Sequence, residues 1–320
     1  MSGTDGTDDP TLELLPIDIS AYRNGNTGID YVHSFNSGQP GPNVLINALT
    51  HGNEVCGAHA LGVLFEDDIR PTRGSLILSF ANVDAYHSFD TDNPTASRFV
   101  DEDFNRLWSD EILDGPRQSS ELTRAREIRG VVAAADYLLD LHSMQLPCPA
   151  LMLAGTAPKG RRLALAMGVP EHVVTDPGHA AGPRMRDYGP FAEAEPAQTA
   201  LLIECGQHWA DSSRRVAIQA VFHYLDALGI IDGADASPYL VPTPPEQRLI
   251  EVVGPITIQT DAFSFAQSYT GLEVIPKAGT LIGHDGPQPI VTPHDDCILV
   301  MPTHKPRKGQ TAVRLGRFVD

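Results

Sequence analysis

A chain of 320 residues, 42% of them hydrophobic and 20% charged, can bury a sizeable core and is too apolar to be a disordered polyelectrolyte. Its net charge of −18 and pI near 4.9 exclude the basic stripe with which proteins usually meet nucleic acid. No stretch approaches the ~20 apolar residues of a membrane span, and Met1 to Pro10 is polar and acidic, unlike a secretory leader.

In chain order, residues before Pro42 are rich in Gly, Asn, Ser and Asp and read as loop, with Leu12–Ile19 as an edge strand that tolerates Pro16. Val44–Leu49 reads as a buried strand running into Thr50-His51-Gly52-Asn53-Glu54. Cys56–Phe65 reads as a helix with Asn53 available as its cap. Ser75–Phe80 is a second buried strand, and Asp84–Gly115 a long irregular segment of the kind that is usually functional. Ser119, Ser120 and Glu121 open a helix that runs to Ala134. Tyr137–Leu141 is a third strand, ending at His142; Ala150–Leu153 is a fourth; Thr199–Ile203 is a fifth, ending at Glu204. Gly155–Gly160 mimics a phosphate loop, but Arg161-Arg162 stands where Lys-Ser/Thr should, so it reads as a plain loop. A helix follows from about Ser213 to Gly229, then a proline-rich linker over Ala234–Pro245. Short strands alternating with Gly and Pro turns then suggest a small all-β unit. The expected organisation is an α/β domain over 1–235, with helices on both faces of its sheet, and a β domain over 246–320. Cys56, Cys148, Cys205 and Cys297 form no Cys-x-x-Cys pair, which favours buried thiols and a reducing, cytoplasmic compartment.

Three of these strands end on an ionisable residue, and in an open α/β sheet such ends line one crevice. His51, Glu54 and His142 supply three ligands suited to zinc and leave one position for water, the make-up of a catalytic rather than a structural site. Bound zinc brings the pKa of water to about 7 and polarises a carbonyl. Glu204 is then the candidate general base. Arg98 is placed to stabilise an oxyanion, and Asn105 with Arg106 to hold a substrate carboxylate in a guanidinium fork.

The ordered motifs His51-Gly52-Asn53-Glu54, Asp103-Phe104-Asn105-Arg106, Asp140-Leu141-His142 and Ile203-Glu204-Cys205-Gly206-Gln207 resemble those of the aspartoacylase/succinylglutamate desuccinylase family, of the zinc carboxypeptidase superfamily. The resemblance spans Val44 to Gln207. It implies a mixed-sheet zinc-carboxypeptidase-like α/β/α domain followed by a small β domain that narrows the site against peptides. It implies His51, Glu54 and His142 as zinc ligands, one Zn2+ per chain, with Glu204 as base, Arg98 polarising the carbonyl and Asn105 with Arg106 as carboxylate anchor. Asp103 matches the acid that orients the first histidine ligand. The implied reaction is hydrolysis of the amide of a small N-acylated amino acid, a step of amino acid metabolism.

Two positions depart from the aspartoacylase pattern. Pro190–Pro196 stands where a Tyr and an Arg hold the acyl carboxylate, the nearest substitutes being Arg184, Arg186 and Tyr188 out of register. No clear counterpart of the C-terminal substrate tyrosine is found around His304–Gly309. These favour an acyl amino acid other than N-acetylaspartate, with succinylglutamate or an acetylated diamino acid open. The alternatives are a carboxypeptidase-like metallopeptidase on short peptides and a non-catalytic metal- or ligand-binding module; Glu204 and Arg98 beside a full ligand set argue against the latter. The expected partner is the small-molecule substrate, not nucleic acid or membrane, and a homo-oligomer is left open.

Overall fold

A computed structural model describes residues 11–178, 181–195 and 197–319. Its first strand is not Leu12–Ile19, which is irregular, but β1 (Val32–Asn36), antiparallel to β3 (Ser75–Phe80) at the sheet edge. β1 hid in a polar composition because an edge strand buries little, and only Val32 of it is fully covered. Next to β3 lie β2 (Asn43–Ala48), β4 (Tyr137–Met144) and β7 (Thr199–Gln207), all parallel. These strands are buried almost end to end, as parallel strands covered on both faces must be.

The period of two decides which face each side chain joins. Ile46, Leu139 and Leu201 point to one cluster, built with Leu61 and Leu64 of α1 (Cys56–Glu66), Met167 of α5 (Pro158–Met167) and Val221 and Phe222 of α6 (Asp211–Ala227). Leu45, Leu138 and Ala200 point to the other, with Phe104, Trp108, and Leu122, Ile128 and Val132 of α4 (Ser120–Ala133). Ser119 caps α4, accepting from the backbone N–H of Leu122 at 3.0 Å. The irregular segment between β3 and α4 contains only α2 (Val83–His87), α3 (Asp110–Leu113) and two 3-10 turns.

Beyond β7 the sheet continues as β5 (Leu151–Leu153), β6 (His172–Thr175), β8 (Arg248–Thr257), β14 (Thr311–Val319), β13 (Cys297–Val300) and β10 (Glu273–Ile275), making 11 strands. After α7 (Gly233–Ala236), β8 pairs in parallel with β6, so C-terminal strands extend the main sheet. β9 (Phe263–Phe265), β11 (Leu281–Asp285) and β12 (Gln288–Val291) form a separate antiparallel sheet of three strands.

Two boundaries matter for chemistry. β4 and β7 do not stop at His142 and Glu204; the strands run on to Met144 and Gln207, with a register shift just after the His142–Glu204 pair. Helix α1 begins after Val55 with no side-chain cap, because the chain from Thr50 to Glu54 is spent on a turn; the Asn53 backbone carbonyl accepts from Trp209 Nε1. That turn opens with Leu49 in the left-handed region, φ 61°, a conformation costing on the order of 1–3 kcal/mol in a non-glycine residue. Gly52 then passes hard against two backbone segments and donates to the Arg98 carbonyl at 3.1 Å. A Cβ there would lie 2.3 Å from the Ala85 carbonyl carbon and 2.4 Å from both Ser97 O and Tyr86 N. Gly52→Ala is therefore expected to destabilise the fold by about 1–3 kcal/mol, the usual cost of overpacking. Thermal melts of the purified variant check this; an unchanged melting temperature would mean the two segments part freely.

Candidate active site

Glu54 is the centre of a buried group that no single strand could assemble. His51 Nδ1 lies 2.7 Å from Glu54 Oε1, and His142 Nδ1 lies 2.8 Å from Glu54 Oε2. The three residues are at most 4% exposed, and one donor atom from each lies within 4.8 Å of the others. Each imidazole turns its other nitrogen to a carboxylate: His51 Nε2 to Asp103 Oδ1 at 2.9 Å, and His142 Nε2 to Asp140 Oδ2 at 2.8 Å. A histidine that donates Nε2–H in this way presents a lone pair at Nδ1. Two such lone pairs facing one carboxylate need positive charge between them, and nitrogen and oxygen donors of this kind suit zinc. The residues therefore fit a divalent ion. His51 and His142 hold the Glu54 carboxyl well below its ordinary range, although burial alone would raise it.

The supports of this group reach into three elements. Asp140 Oδ1 accepts from Asn47 Nδ2 of β2 and from Thr50 Oγ1, each at 2.8 Å, so β2 and β4 jointly orient His142. Asp103 accepts from the backbone N–H of Asn105 at 2.9 Å and is clasped by Arg98 Nη2 at 3.3 Å. The loop carrying Asp103 is held by Glu121, fully buried in the first turn of α4. Its carboxylate accepts from the backbone N–H groups of Val100 (2.7 Å), Asp101 (3.0 Å) and Glu102 (3.2 Å). Asp140 sat in a quoted motif without a role, and Glu121 read only as a helix opener. An Asp two residues before a strand histidine and an acid in a helix's first turn were the available signals.

Glu204 lies beside His142 across the β4–β7 pair. It is 6% exposed, and its Oε2 has no hydrogen-bond partner among the described residues. Burial, and then the Glu54 carboxylate, push its pKa up to about 8. Arg98 donates to Glu54 Oε1 at 3.2 Å and is about one-third exposed, so its guanidinium borders both the ligand group and the opening. Asn105 is buried, with Nδ2 3.4 Å from His142 Nε2 and Oδ1 accepting from Met185 N at 2.8 Å. Arg106 donates to the Asn105 carbonyl at 2.6 Å and lies 3.9 Å from Asp103. Burial lowers its pKa, and Arg98, Arg184 and Arg314 add to that, against the pull of Asp103. All seven candidate residues are thus brought together.

The lesser candidates separate. Arg184 and Arg186 are buried in ion pairs with Asp187, and Arg184 also with Asp176. The Tyr188 hydroxyl is shared by Arg129 and Asp110, and its ring packs on Trp108. His208 is buried against Ser143 Oγ at 2.8 Å, and burial lowers its pKa to about 3, so it is neutral.

Residues 40–167 match the succinylglutamate desuccinylase/aspartoacylase catalytic domain. The match covers less than half of the chain. A comparison with curated proteins found no match. Among solved structures, succinylglutamate desuccinylase from Vibrio cholerae superposes with TM-score 0.67 at 18% identity, covering 91% of this chain and 86% of that one. The desuccinylase from Vibrio parahaemolyticus gives 0.65 at 18%, covering 91% and 87%. The product-bound ectoine utilization protein EutE (DoeB) from Ruegeria pomeroyi gives 0.62 at 16%, covering 89% and 87%. The fold of the whole chain is therefore the desuccinylase/aspartoacylase fold.

The ligand geometry predicts about one bound divalent ion per purified chain. His142→Ala, which removes one donor and leaves Glu54 facing a single imidazole, is expected to lose it. Metal analysis of native and variant protein is the check, and a full complement in the variant would refute the assignment.

Proposed function

We propose that this chain is a zinc-dependent hydrolase that cleaves the amide bond of a small N-acylated amino acid. In this reading residues 1–235 carry the chemistry and 246–320 close the site. The observation that carries it is the pairing of a buried three-donor group with Glu204, a neighbouring carboxyl with one oxygen unengaged. A purely structural metal site has no use for such a carboxyl.

His51, Glu54 and His142 would hold the ion, with Asp103 and Asp140 fixing the two imidazoles. Zinc there would polarise the scissile carbonyl, acidify a water and, by its charge, lower the Glu204 pKa from about 8 toward neutrality. Glu204 takes the proton from the attacking water and returns it to the departing amine nitrogen. Arg98, at the rim, offsets the charge that develops on the carbonyl oxygen. Asn105 and Arg106 receive the α-carboxylate, Arg106 through its planar fork. A substrate carboxylate also restores favourable charge to an arginine that burial leaves uneasy.

Glu204→Gln preserves size and hydrogen bonding but cannot take a proton. It is expected to keep its metal and melting temperature and to lose ~10²–10⁴-fold in turnover. Lost metal would make Glu204 a ligand, and near-normal turnover would assign the base elsewhere. Release of amine from N-acetyl, N-succinyl and N-formyl amino acids, run beside short peptides, provides the assay; cleavage of peptides alone would favour a metallopeptidase.

Arg106→Lys keeps the charge and loses the fork. KM should rise for substrates with a free α-carboxylate and change little for their α-amides. Equal rises on both would refute the carboxylate role.

A further inference from the structure

Glu204 differs from the ligand group in having nothing behind it. Each ligand imidazole is backed by a carboxylate. The Glu204 carboxyl makes no hydrogen bond among the described residues, and its Oε2 is buried without a partner. Its direction is therefore left to the backbone of β7. At Glu204 that backbone is paired on both sides, with His142 of β4 and Leu151 of β5. Just beyond, the pairing changes. The β4–β7 register runs through His142–Glu204 and resumes at Met144–Gln207, so β4 spends Ser143 alone where β7 spends Cys205 and Gly206. An extra residue on one strand of a pair is a β-bulge, which bends its strand and re-aims the side chains beside it.

Gly206 makes this bulge possible. Its φ is 109°, a conformation that side chains rarely adopt. Room is not the constraint, because a Cβ there would meet nothing nearer than the Cys148 carbonyl oxygen at 3.9 Å. The far side of the bulge is pinned. His208 N donates to the Met144 carbonyl at 2.8 Å, and its Nδ1 lies 2.8 Å from Ser143 Oγ. Gln207 Nε2 donates to the Gln145 carbonyl at 3.3 Å, and Trp209 Nε1 to the Asn53 carbonyl at 3.2 Å, in the turn that carries His51 and Glu54. The bulge also breaks the period of two. Uninterrupted alternation would put His208 on the Glu204 face; the extra residue sends it to Ser143, whose side chain lies on the opposite face from that of His142. A backbone change at Gly206 cannot relax on the pinned side, so it is passed back to Glu204.

We propose that Gly206 is a positioning residue for Glu204: the bulge it permits directs an otherwise unsupported carboxyl into its place beside His142. This rests on the reading of Glu204 as the base. The histidines are aimed by side chains behind them, and Glu204 is aimed by the conformation of its own strand. Position 206 therefore admits no side chain, although there is space for one.

The test compares Gly206→Ala with Gly229→Ala in the full-length protein loaded with zinc, at a temperature where both are folded. Gly229, beyond the end of α6, also has a positive φ, 60°, and an added Cβ would likewise meet nothing nearer than 3.9 Å. It reports the strain of such a substitution outside the site. Turnover is read by amine release on the N-acyl amino acid that the native protein cleaves fastest. Gly206→Ala is expected to lose on the order of 10²-fold in kcat, the cost of a misplacement of ~1 Å, with KM and metal content unchanged. Gly229→Ala should keep the native kcat. Crystal structures of both variants give a reading that needs no activity: the Glu204 carboxyl should move by ~1 Å relative to His142 in the first and stay in place in the second. Should Gly206→Ala fail to fold, Gly206→Asn decides, because Asn enters positive φ more readily than most side chains; it should lose on the order of 10-fold or more in kcat at native KM. A native kcat in the folded Gly206 variant, a carboxyl left in place, or the same loss in Gly229→Ala overturns the proposal. So does lost metal, which would make the bulge a support of the ligand group, or a raised KM alone, which would set Gly206 against the substrate. Absence of turnover by the native protein on every substrate counts against the hydrolase reading alone, because the displacement of the carboxyl still decides this one.

Discussion

Two imidazole nitrogens facing one buried carboxylate is the contact on which the rest of this structure depends. Glu54 faces His51 Nδ1 with one oxygen and His142 Nδ1 with the other, and it accepts from the backbone N–H of Ser143 at 3.0 Å. Three ionisable groups under 5% exposure would be a liability in an ordinary core. They are tolerable because carboxylates stand behind both histidines and because the whole set suits a cation. The same constraint explains why Asn47 through Nδ2, Thr50 and Glu121 are buried polar residues hydrogen-bonded around this group.

Rigidity of the group comes from the sheet. β2 and β4 are hydrogen-bonded neighbours, and the Asn47–Asp140 register pair doubles as the bond that orients His142. β4 and β7 are neighbours in turn, and their His142–Glu204 register pair sets the proposed base beside a ligand. Positions built on strands hold tighter geometry than positions on loops. The loop-borne members, Arg98, Asp103, Asn105 and Arg106, gain restraint from Glu121 clamping three backbone N–H groups, and Arg98 also from Gly52, whose N–H donates to its carbonyl.

Charge is distributed unevenly around this centre. The chain is strongly acidic overall, yet Arg98 and Arg106 pair with Asp103, and Arg184 and Arg314 share Asp176. Such interleaving offsets the cost of burying these charges.

Much of this was legible in the chain itself. The apolar runs Val44–Ala48, Ser75–Phe80 and Thr199–Ile203 announced buried strands because strands covered on both faces need unbroken hydrophobicity. The spacing of His51 and Glu54 announced that their side chains meet, because both lie on one local segment. What remained hidden depended on partners distant in sequence. β1 is polar because an edge strand buries little, and His142 and Glu204 looked like strand ends because nothing local signals that a strand continues through a charged residue. Asp140 acquires its place only when Asn47 and Thr50, some ninety positions earlier, come beside it. Arg314 looks like any strand arginine until β14 pairs with β8 and carries it to Asp176. Sequence by itself determines hydrophobic period and local ligand spacing, which are properties of neighbouring residues. Which buried charges meet is decided by strand order and register, and those exist only once the sheet has formed.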